Sequence, residues 1–162
     1  MYCTYMDAIH RHLDEGGLRL GGLRLEGRRR LARLQVLELW DVGAEGLKLV
    51  LSADVPEVVG RYLHGDVTGF LGDHDLAIDD IRTWVSHPGG PKVIEAIVDA
   101  LGLGEDALEL TWRSLAEVGN LSSSSVLHVL RDTIAKHPPS GPGVMMAMGP
   151  GFCSELVLLQ WP

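Results

Sequence analysis

An imidazole and a carboxamide stand in short, turn-rich segments of this chain and could act together on a substrate. His87 opens the segment 87–92, His-Pro-Gly-Gly-Pro-Lys, and Asn120 lies in the segment 119–125, Gly-Asn-Leu-Ser-Ser-Ser-Ser. A third segment, 148–152, reads Met-Gly-Pro-Gly-Phe. Each segment borders an apolar stretch, so its polar groups would lie at the end of an element. A His and an Asn that converge there would supply two hydrogen-bond donors to a developing oxyanion.

Apolar runs bounded by turn residues predict the strands that would carry these segments. Two strands, at 36–40 and 47–51, are joined by a turn that contains Gly43 and Gly46. A brief strand at 83–86 ends at His87, and two strands, at 144–147 and 155–159, finish the chain. His87 would therefore follow the end of a strand, which is where α/β sheets place their ligands.

Four amphipathic stretches predict helices that would cover the sheet. They begin near Pro56, Pro91, Glu105 and Asn120. Gly65 is a candidate break in the first helix, and Gly102 ends the second. Gly89 and Gly90 are expected to form a tight turn with positive φ. The order β-β-α-β-α-α-α-β-β predicts an α/β fold with a mixed sheet.

Each candidate residue also has a purely structural interpretation. A histidine at a strand end can stack or cap without any chemistry. An asparagine at a helix N-terminus is usually a cap. The four serines at 122–125 are expected to satisfy N–H groups of the first helical turn or to pack closely. Spacing alone therefore leaves both interpretations of His87 and Asn120 open.

Composition excludes several classes of function. The length of 162 residues is that of one domain, and the net charge of −8 makes nucleic acid a poor partner. No apolar run approaches the roughly 20 residues that span a bilayer. The N-terminus is not a secretory signal, so a cytoplasmic location is expected. The two cysteines, Cys3 and Cys153, form neither a disulfide framework nor a zinc spacing, and no metal site is expected.

The first 35 residues differ from the rest. Residues 1–35 hold seven Arg and four acids, whereas residues 36–162 hold seven basic and eighteen acidic groups. The stretch Gly-Gly-Leu-Arg-Leu at 16–20 is nearly repeated at 21–25. We expect this Arg/Gly/Leu-rich segment to be a solvated arm or a mistaken start that is not part of the fold.

From Trp40 to Trp161 the chain resembles the C-terminal half of a type III polyketide synthase, the chalcone and stilbene synthase family of the thiolase-like superfamily. Residue type, order and spacing match together at 40–41, 51–56, 84–90, 119–125 and 149–151. The resemblance implies that residues 36–162 form a thiolase-like, layered half-domain with a mixed sheet covered by helices.

The resemblance also implies an acyltransferase with a Cys-His-Asn triad. In such an enzyme an imidazolium stabilises the cysteine thiolate, which carries the growing acyl chain. His87 and Asn120 would hold the thioester oxygen of malonyl-CoA while carbon dioxide leaves, and the resulting carbanion would extend the chain. The nucleophilic cysteine normally lies in an N-terminal half. Neither Cys3 nor Cys153 fits that role, so the chain alone is expected to be catalytically incomplete.

Two further sets of residues match family segments near the substrate. The set expected near the arm of CoA is Gly89, Gly90, Pro91 and Lys92. The set expected to border the cyclisation cavity is Met148, Gly149, Pro150 and Gly151. Met148 stands where the family often has Phe, so the class of product cannot be carried over. The structural alternatives are an exposed lysine at a first helical turn and a simple hairpin turn.

The implied partners are acyl-CoA and malonyl-CoA as substrates, with no prosthetic group, and an N-terminal thiolase-like half that carries the cysteine. A homodimer is expected, because a lone half-domain would leave apolar surface on its last helix. One alternative is a fragment of a condensing enzyme like ketoacyl-acyl carrier protein synthase III, whose segment usually reads His-Gln-Ala-Asn and which needs a basic docking face. Another is a non-catalytic remnant or dimerisation module.

Overall fold

A computed structural model describes residues 19–20, 23–32, 38–43, 46–51, 53–149 and 153–162. The strands in these ranges are β1 (Arg19–Leu20), β2 (Leu23–Ala32), β3 (Glu38–Gly43), β4 (Gly46–Leu51), β5 (Thr83–Ser86), β6 (Gly141–Gly149) and β7 (Cys153–Trp161). The helices are α1 (Val55–Gly72), α2 (Pro91–Leu101), α3 (Glu109–Val118) and α4 (Ser125–Ala135). Short 3-10 turns lie at Ile78–Asp80 and Ser122–Ser124.

Five of the strands form one mixed sheet in the order β1-β2-β7-β6-β5, and β3 and β4 form a separate antiparallel hairpin. Strands β5 and β6 are parallel, and the other neighbours in the large sheet are antiparallel. Because β5 and β6 run in the same direction, residues that follow them reach the same edge of the sheet, here called the carboxyl edge. The other end of the same two strands is here called the amino edge.

Alternating side chains of the sheet fill two cores. On one face, Trp84, Val144, Met146, Leu156 and Leu158 pack with buried residues of α1 and α2. On the other, Val85, Met145, Val157, Leu159 and Trp161 pack with Val126, Val129 and Leu130 of α4. The sheet is therefore the middle of three layers, which confirms the predicted α/β fold and its mixed sheet covered by helices.

Several predicted elements are confirmed almost residue for residue. Strand β5 occupies 83–86, and α2 runs from Pro91 to Leu101. It ends at Gly102, which has the left-handed φ of 62° that glycine tolerates without steric cost. The last two strands are longer than predicted, because β6 and β7 pair along their whole length as an antiparallel ladder.

Three local predictions were wrong. Gly65 does not break α1, which continues over 18 residues because its buried stripe continues through Val67 and Phe70. The third helix begins at Glu109 and not near 105, since residues 105–108 form a turn. Gly90 has the positive φ expected of the turn, at 155°, but Gly89 is not among the residues with positive φ.

The N-terminal segment differs from the expectation that residues 1–35 stay outside the fold. Strand β2 pairs antiparallel with β7, from Arg24 opposite Gln160 to Ala32 opposite Cys153. Leu23 is buried with the α4 core. Strand β2 belongs to the sheet because β7 is apolar and pairs with β6 on one side only. The backbone N–H and C=O groups on the other side of β7 need partners, and β2 supplies them. Residues 1–18 lie outside the described ranges.

No helix within the described ranges combines the length and the apolar content that crossing a bilayer requires.

Candidate active site

His87 lies at the carboxyl edge, directly after β5. Its backbone N–H donates to the carbonyl oxygen of Met146 over 3.0 Å, so the pairing of β5 with β6 continues through this residue. By strand alternation His87 falls on the same face as Val85, which is the face that α4 covers. Only 6% of His87 is exposed, so its imidazole is held within the protein.

Burial decides the charge of this imidazole. Desolvation lowers the pKa of His87 from 6.5 to about 4. The ring is therefore neutral at pH 7 and can donate one N–H and accept one hydrogen bond. The imidazolium that the triad implies is not the form of His87 in this chain. A thiolate placed beside the ring would favour the charged form and raise that pKa.

Asn120 contacts the segment that His87 opens. Its Nδ2 donates to the carbonyl oxygen of Gly89 over 3.2 Å, and its Oδ1 accepts from the N–H of Ser122 over 2.9 Å. The first bond joins residues 31 positions apart in the sequence. The structure therefore brings the predicted His and Asn segments together at the carboxyl edge. One hydrogen on Nδ2 is left after these bonds, because an amide nitrogen carries two donors.

The turn before α4 fixes the position of Asn120. Gly119 has a φ of 73°, and Ser122 has a φ of 61°, which is rare for a residue with a side chain. The hydroxyl of Ser125 accepts from the N–H of Leu121 over 2.7 Å, and the hydroxyl of Ser124 donates to the Leu121 carbonyl over 2.8 Å. Ser125 thus satisfies a backbone N–H group, as predicted, whereas the hydroxyl of Ser124 donates to a carbonyl. Helix α4 begins at Ser125 and not near Asn120.

The predicted CoA segment forms the turn between β5 and α2. The N–H of Gly89 donates to the carbonyl of His87, and the N–H groups of Val93 and Ile94 donate to the carbonyl of Gly90. Pro91 and Lys92 are exposed at the first turn of α2. They therefore stand on the outside of the turn that follows His87.

The predicted cavity loop is only partly brought to the site. Met148 and Gly149 end β6 at the carboxyl edge. However, Met148 packs against the core under α1 and α2, on the face opposite His87. Its side chain therefore does not approach the imidazole. Pro150 and Gly151 lie outside the described ranges.

Cys153, the cysteine that the described ranges include, does not take the place of a nucleophile at this site. Cys153 is 5% exposed, and its thiol donates to Oε1 of Glu155 over 3.6 Å within β7. Cys3 lies outside the described ranges. Among the described residues, then, the carboxyl edge carries the imidazole of His87 and the amide of Asn120, and its one described thiol is packed inside the sheet.

Comparison with known proteins places the chain in a family. The sequence profile described as "Chalcone and stilbene synthases, C-terminal domain" matches residues 35–161. The chain belongs to this family. The matched region includes both His87 and Asn120, whose segments come together at the carboxyl edge.

Curated members of the chalcone and stilbene synthase family match the same part of the chain. The 1,3,6,8-tetrahydroxynaphthalene synthase of Streptomyces peucetius subsp. caesius is 55% identical over 124 residues, which are 75% of this chain and 33% of that protein. The 3,5-dihydroxyphenylacetyl-CoA synthase of Amycolatopsis orientalis is 35% identical over 126 residues, 75% of this chain and 34% of that protein. This chain thus spans about a third of the length of these relatives.

A solved structure supports the fold independently. The chain superposes on PKS-I from the brown alga Ectocarpus siliculosus with a TM-score of 0.81 and 26% identity, over 91% of this chain and 42% of that chain. That coverage is larger than the span of residues 35–161. The superposition therefore extends into the N-terminal segment, in agreement with the pairing of β2 and β7.

Sequence reasoning missed the group that locks the two segments together. The carbonyl of Gly89 receives Asn120, and the glycine had been expected to matter only for the turn and for close approach to a ligand. Residue types do not indicate which backbone carbonyl will accept a side-chain hydrogen bond. The Gly89 carbonyl becomes an acceptor only because the fold brings two turns together at one edge of the sheet.

Proposed function

We propose that this chain is the C-terminal part of an acyltransferase that condenses malonyl-CoA, with loss of carbon dioxide, onto an acyl-CoA starter. The observation that carries the proposal is the bond from Asn120 to the Gly89 carbonyl, which brings the amide to the segment of His87. The reaction so proposed uses CoA thioesters as substrates and needs no prosthetic group or metal. A cytoplasmic location belongs to the same proposal.

The proposed role of the two side chains is to hold the thioester oxygen of malonyl-CoA. When carbon dioxide leaves, negative charge moves to this oxygen as an enolate. The neutral imidazole of His87 offers one N–H, and the remaining hydrogen on Nδ2 of Asn120 offers another. Fixed donors stabilise the enolate better than mobile water, because they do not reorganise as the charge forms.

The nucleophile belongs, in this proposal, to an N-terminal half that this chain does not include. A cysteine thiolate from that half would face His87 and accept the starter acyl group. The acyl thioester is then attacked by the carbanion, which adds two carbons and frees the thiolate. Since the described thiol of Cys153 is buried against Glu155, we expect the chain alone to be inactive.

Exposed apolar side chains beside Asn120 support such a partner half. Val118 is 43% exposed and Leu121 is 44% exposed, and they flank the segment that carries the amide. Covering these side chains would also exclude water from the carboxyl edge, which strengthens both hydrogen bonds to the enolate. A homodimer of the completed enzyme is part of the proposal, as is contact of the CoA arm with Gly89, Gly90, Pro91 and Lys92.

A complementation assay tests the proposed function. The chain is incubated with malonyl-CoA and an acyl-CoA starter, alone and after co-expression with the N-terminal part of the Streptomyces peucetius synthase that precedes the matched region. Polyketide product is expected from the pair and not from the chain alone. The same pair in which the cysteine of the N-terminal part is replaced by Ala should form no polyketide.

Two results would overturn the proposal. Product from the chain alone would show that the nucleophile lies within it. A correctly assembled pair, shown by co-purification, that forms no product would favour a non-catalytic remnant.

A further inference from the structure

A threonine on α3 is bonded to the end of the strand that leads into His87. Thr111 lies in the first turn of α3 and is fully buried. Its hydroxyl donates to the carbonyl oxygen of Ser86 over 3.3 Å. Ser86 is the last residue of β5 and is also fully buried. This bond joins residues 25 positions apart in the sequence and connects a helix to the residue directly before His87.

The peptide group between Ser86 and His87 is held from both sides. Its N–H, from His87, donates to the Met146 carbonyl of β6 over 3.0 Å. Because a trans peptide is planar, its carbonyl points the opposite way, away from β6. Among the described residues β5 is the last strand in the sheet order, so no strand lies on that side. The Thr111 hydroxyl supplies the partner that a neighbouring strand would otherwise give.

These bonds fix the backbone from which the imidazole projects. On the other side of His87, its own carbonyl accepts from the N–H of Gly89 over 3.0 Å. The peptide groups before and after His87 are therefore both bonded. A donor that is held in this way does not need to reorganise as negative charge forms on a substrate oxygen.

Helix α3 also leads into the second donor. It ends at Val118, and Asn120 follows after Gly119, whose N–H donates to the Leu115 carbonyl over 3.0 Å. The amide of Asn120 then bonds to the Gly89 carbonyl. One helix is thus tied to the backbone before His87 at its first turn and to the backbone after His87 just beyond its last turn. A shift of α3 along β5 would move the amide relative to the imidazole.

We propose that Thr111 is a positioning residue: its hydroxyl holds α3 against the end of β5 and so fixes the placement of His87 and Asn120 relative to each other. Thr111 acts through these two residues and has no contact with substrate in this proposal. The inference rests on the proposed function, because the placement affects a reaction rate only if the two side chains hold the enolate.

Steady-state kinetics of the assembled pair test this role. Thr111→Val keeps the shape of the side chain and removes the hydroxyl. With the N-terminal part of the Streptomyces peucetius synthase supplied, kcat for polyketide formation should fall about tenfold, because a small displacement of catalytic groups slows the chemical step. KM for malonyl-CoA should change less than about twofold. Thr111→Ser restores the hydroxyl and should recover most of the rate.

Thr133→Val is the matched control. Thr133 is also buried, and its hydroxyl also donates to a backbone carbonyl, that of Val129 over 2.8 Å, but within its own helix α4. The control therefore measures what the loss of a buried hydroxyl does without any change at the end of β5. Its kcat should equal that of the wild-type pair.

Amide hydrogen exchange on the chain alone tests the same contact without any need for activity. The His87 amide is protected by its bond to Met146. In Thr111→Val its exchange should become about fivefold to tenfold faster relative to that of the buried Val67 amide in α1, since the carbonyl of the same peptide group has lost its partner. In Thr133→Val this ratio should not change.

Several outcomes would overturn the proposal. With an active wild-type pair, these are an unchanged kcat in Thr111→Val, an equal fall in Thr133→Val, or no recovery in Thr111→Ser. Should Thr111→Val not fold, Thr111→Cys replaces it with the same expectations, because a thiol donates only weakly.

An inactive wild-type pair would instead count against the proposed function. The exchange ratio then decides on Thr111 by itself. A faster His87 amide in Thr111→Val would support the hydroxyl as the group that holds this peptide, and an unchanged ratio would overturn it.

Discussion

Polar side chains at the two edges of the sheet differ in their burial and in their hydrogen bonding. At the carboxyl edge, Asn120 is exposed and is bonded through both ends of its amide, while His87 is buried and kept neutral. At the amino edge, Thr83 Oγ1 and Trp161 Nε1 are buried with no partner among the described residues. The arrangement at the carboxyl edge depends on turns whose residues have a recognisable order. The arrangement at the amino edge depends on the packing of β5, Gly143 and the Trp161 indole.

This difference shows what kind of site a sequence can reveal. A site held by turns leaves Gly, Pro, Asn and Ser at fixed intervals, because each turn requires particular backbone angles. A site formed by packing leaves no such pattern, since Thr and Trp are ordinary residues of apolar strands. Changes at one edge should therefore leave the other unaffected, and this independence can be tested.

Activity of the completed enzyme should show the largest effect. With the N-terminal half supplied, His87→Gln or Asn120→Ala should lower the rate of condensation about 10²-fold to 10³-fold, the usual cost of one oxyanion donor. Steady-state product formation from malonyl-CoA measures it. Thr68→Val, on the exposed face of α1, is the control and should keep the wild-type rate. A tenfold or smaller effect at both residues would contradict the assignment.

Acid should destabilise the chain through His87. Its pKa is about 4 in the folded state and 6.5 in the reference state, so the unfolded chain binds the proton first as the pH falls. The stability due to the neutral ring is complete above pH 6.5 and is lost toward pH 4, by about 3 kcal/mol. Urea unfolding across this range measures it, and His87→Gln should remove this part of the pH dependence.

A second histidine provides the control for this pH effect. His64→Gln, at an exposed position on α1, should leave the wild-type pH dependence intact. The explanation fails if His87→Gln and the wild-type chain lose stability in parallel between pH 6.5 and 4.

Filling the space over Gly143 should disturb the amino edge alone. Gly143→Ala would force its methyl group against the Trp161 indole and the Thr83 carbonyl, at a cost of about 1–3 kcal/mol. The midpoint of urea unfolding gives this change. Gly65→Ala is the matched control, because nothing lies within 4 Å of its added methyl in α1. It should raise stability by up to about 1 kcal/mol, and a loss like that of Gly143→Ala would mean that the clash is not the cause.

Asn120 should show the smallest effect on stability. Asn120→Ala removes both the bond to the Gly89 carbonyl and the acceptor for the Ser122 N–H, which together amount to about 1 kcal/mol. Asn120→Asp keeps the acceptor for the Ser122 N–H but places a carboxylate oxygen against the Gly89 carbonyl oxygen, so it should cost at least as much. Thermal unfolding compares the two variants, and a smaller loss in Asn120→Asp would show that the bond to Gly89 does not contribute.

Much of the fold followed from the sequence because its signals are local. Pro91 and Gly102 mark the ends of α2, and the apolar run at 83–86 forms β5. The failures have physical causes as well. A glycine in the middle of a helix costs little when a buried stripe passes on both sides, so Gly65 does not break α1. Strand β2 was missed because its pairing depends on β7, about 130 residues later.

The candidate site also contains residues that the sequence could predict and residues that it could not. His87 and Asn120 carried a signal of order and spacing, and the structure brings their segments together. The side chain of Met148 could not be placed from sequence, because the face on which it lies depends on the register of β6. The residue types did not predict that the polar atoms of Thr83 and Trp161 would be buried without a hydrogen-bond partner among the described residues.

Decarboxylation of malonyl-CoA, measured apart from condensation, tests the central claim most directly. In the proposed mechanism, acetyl-CoA formation needs the two donors that hold the enolate and not the nucleophile. In the assembled pair whose N-terminal cysteine is replaced by Ala, acetyl-CoA should still form. The double variant His87→Gln, Asn120→Ala should then lose this activity at least 100-fold. Acetyl-CoA formation at an undiminished rate in that variant would contradict the assignment of the carboxyl edge as the enolate site.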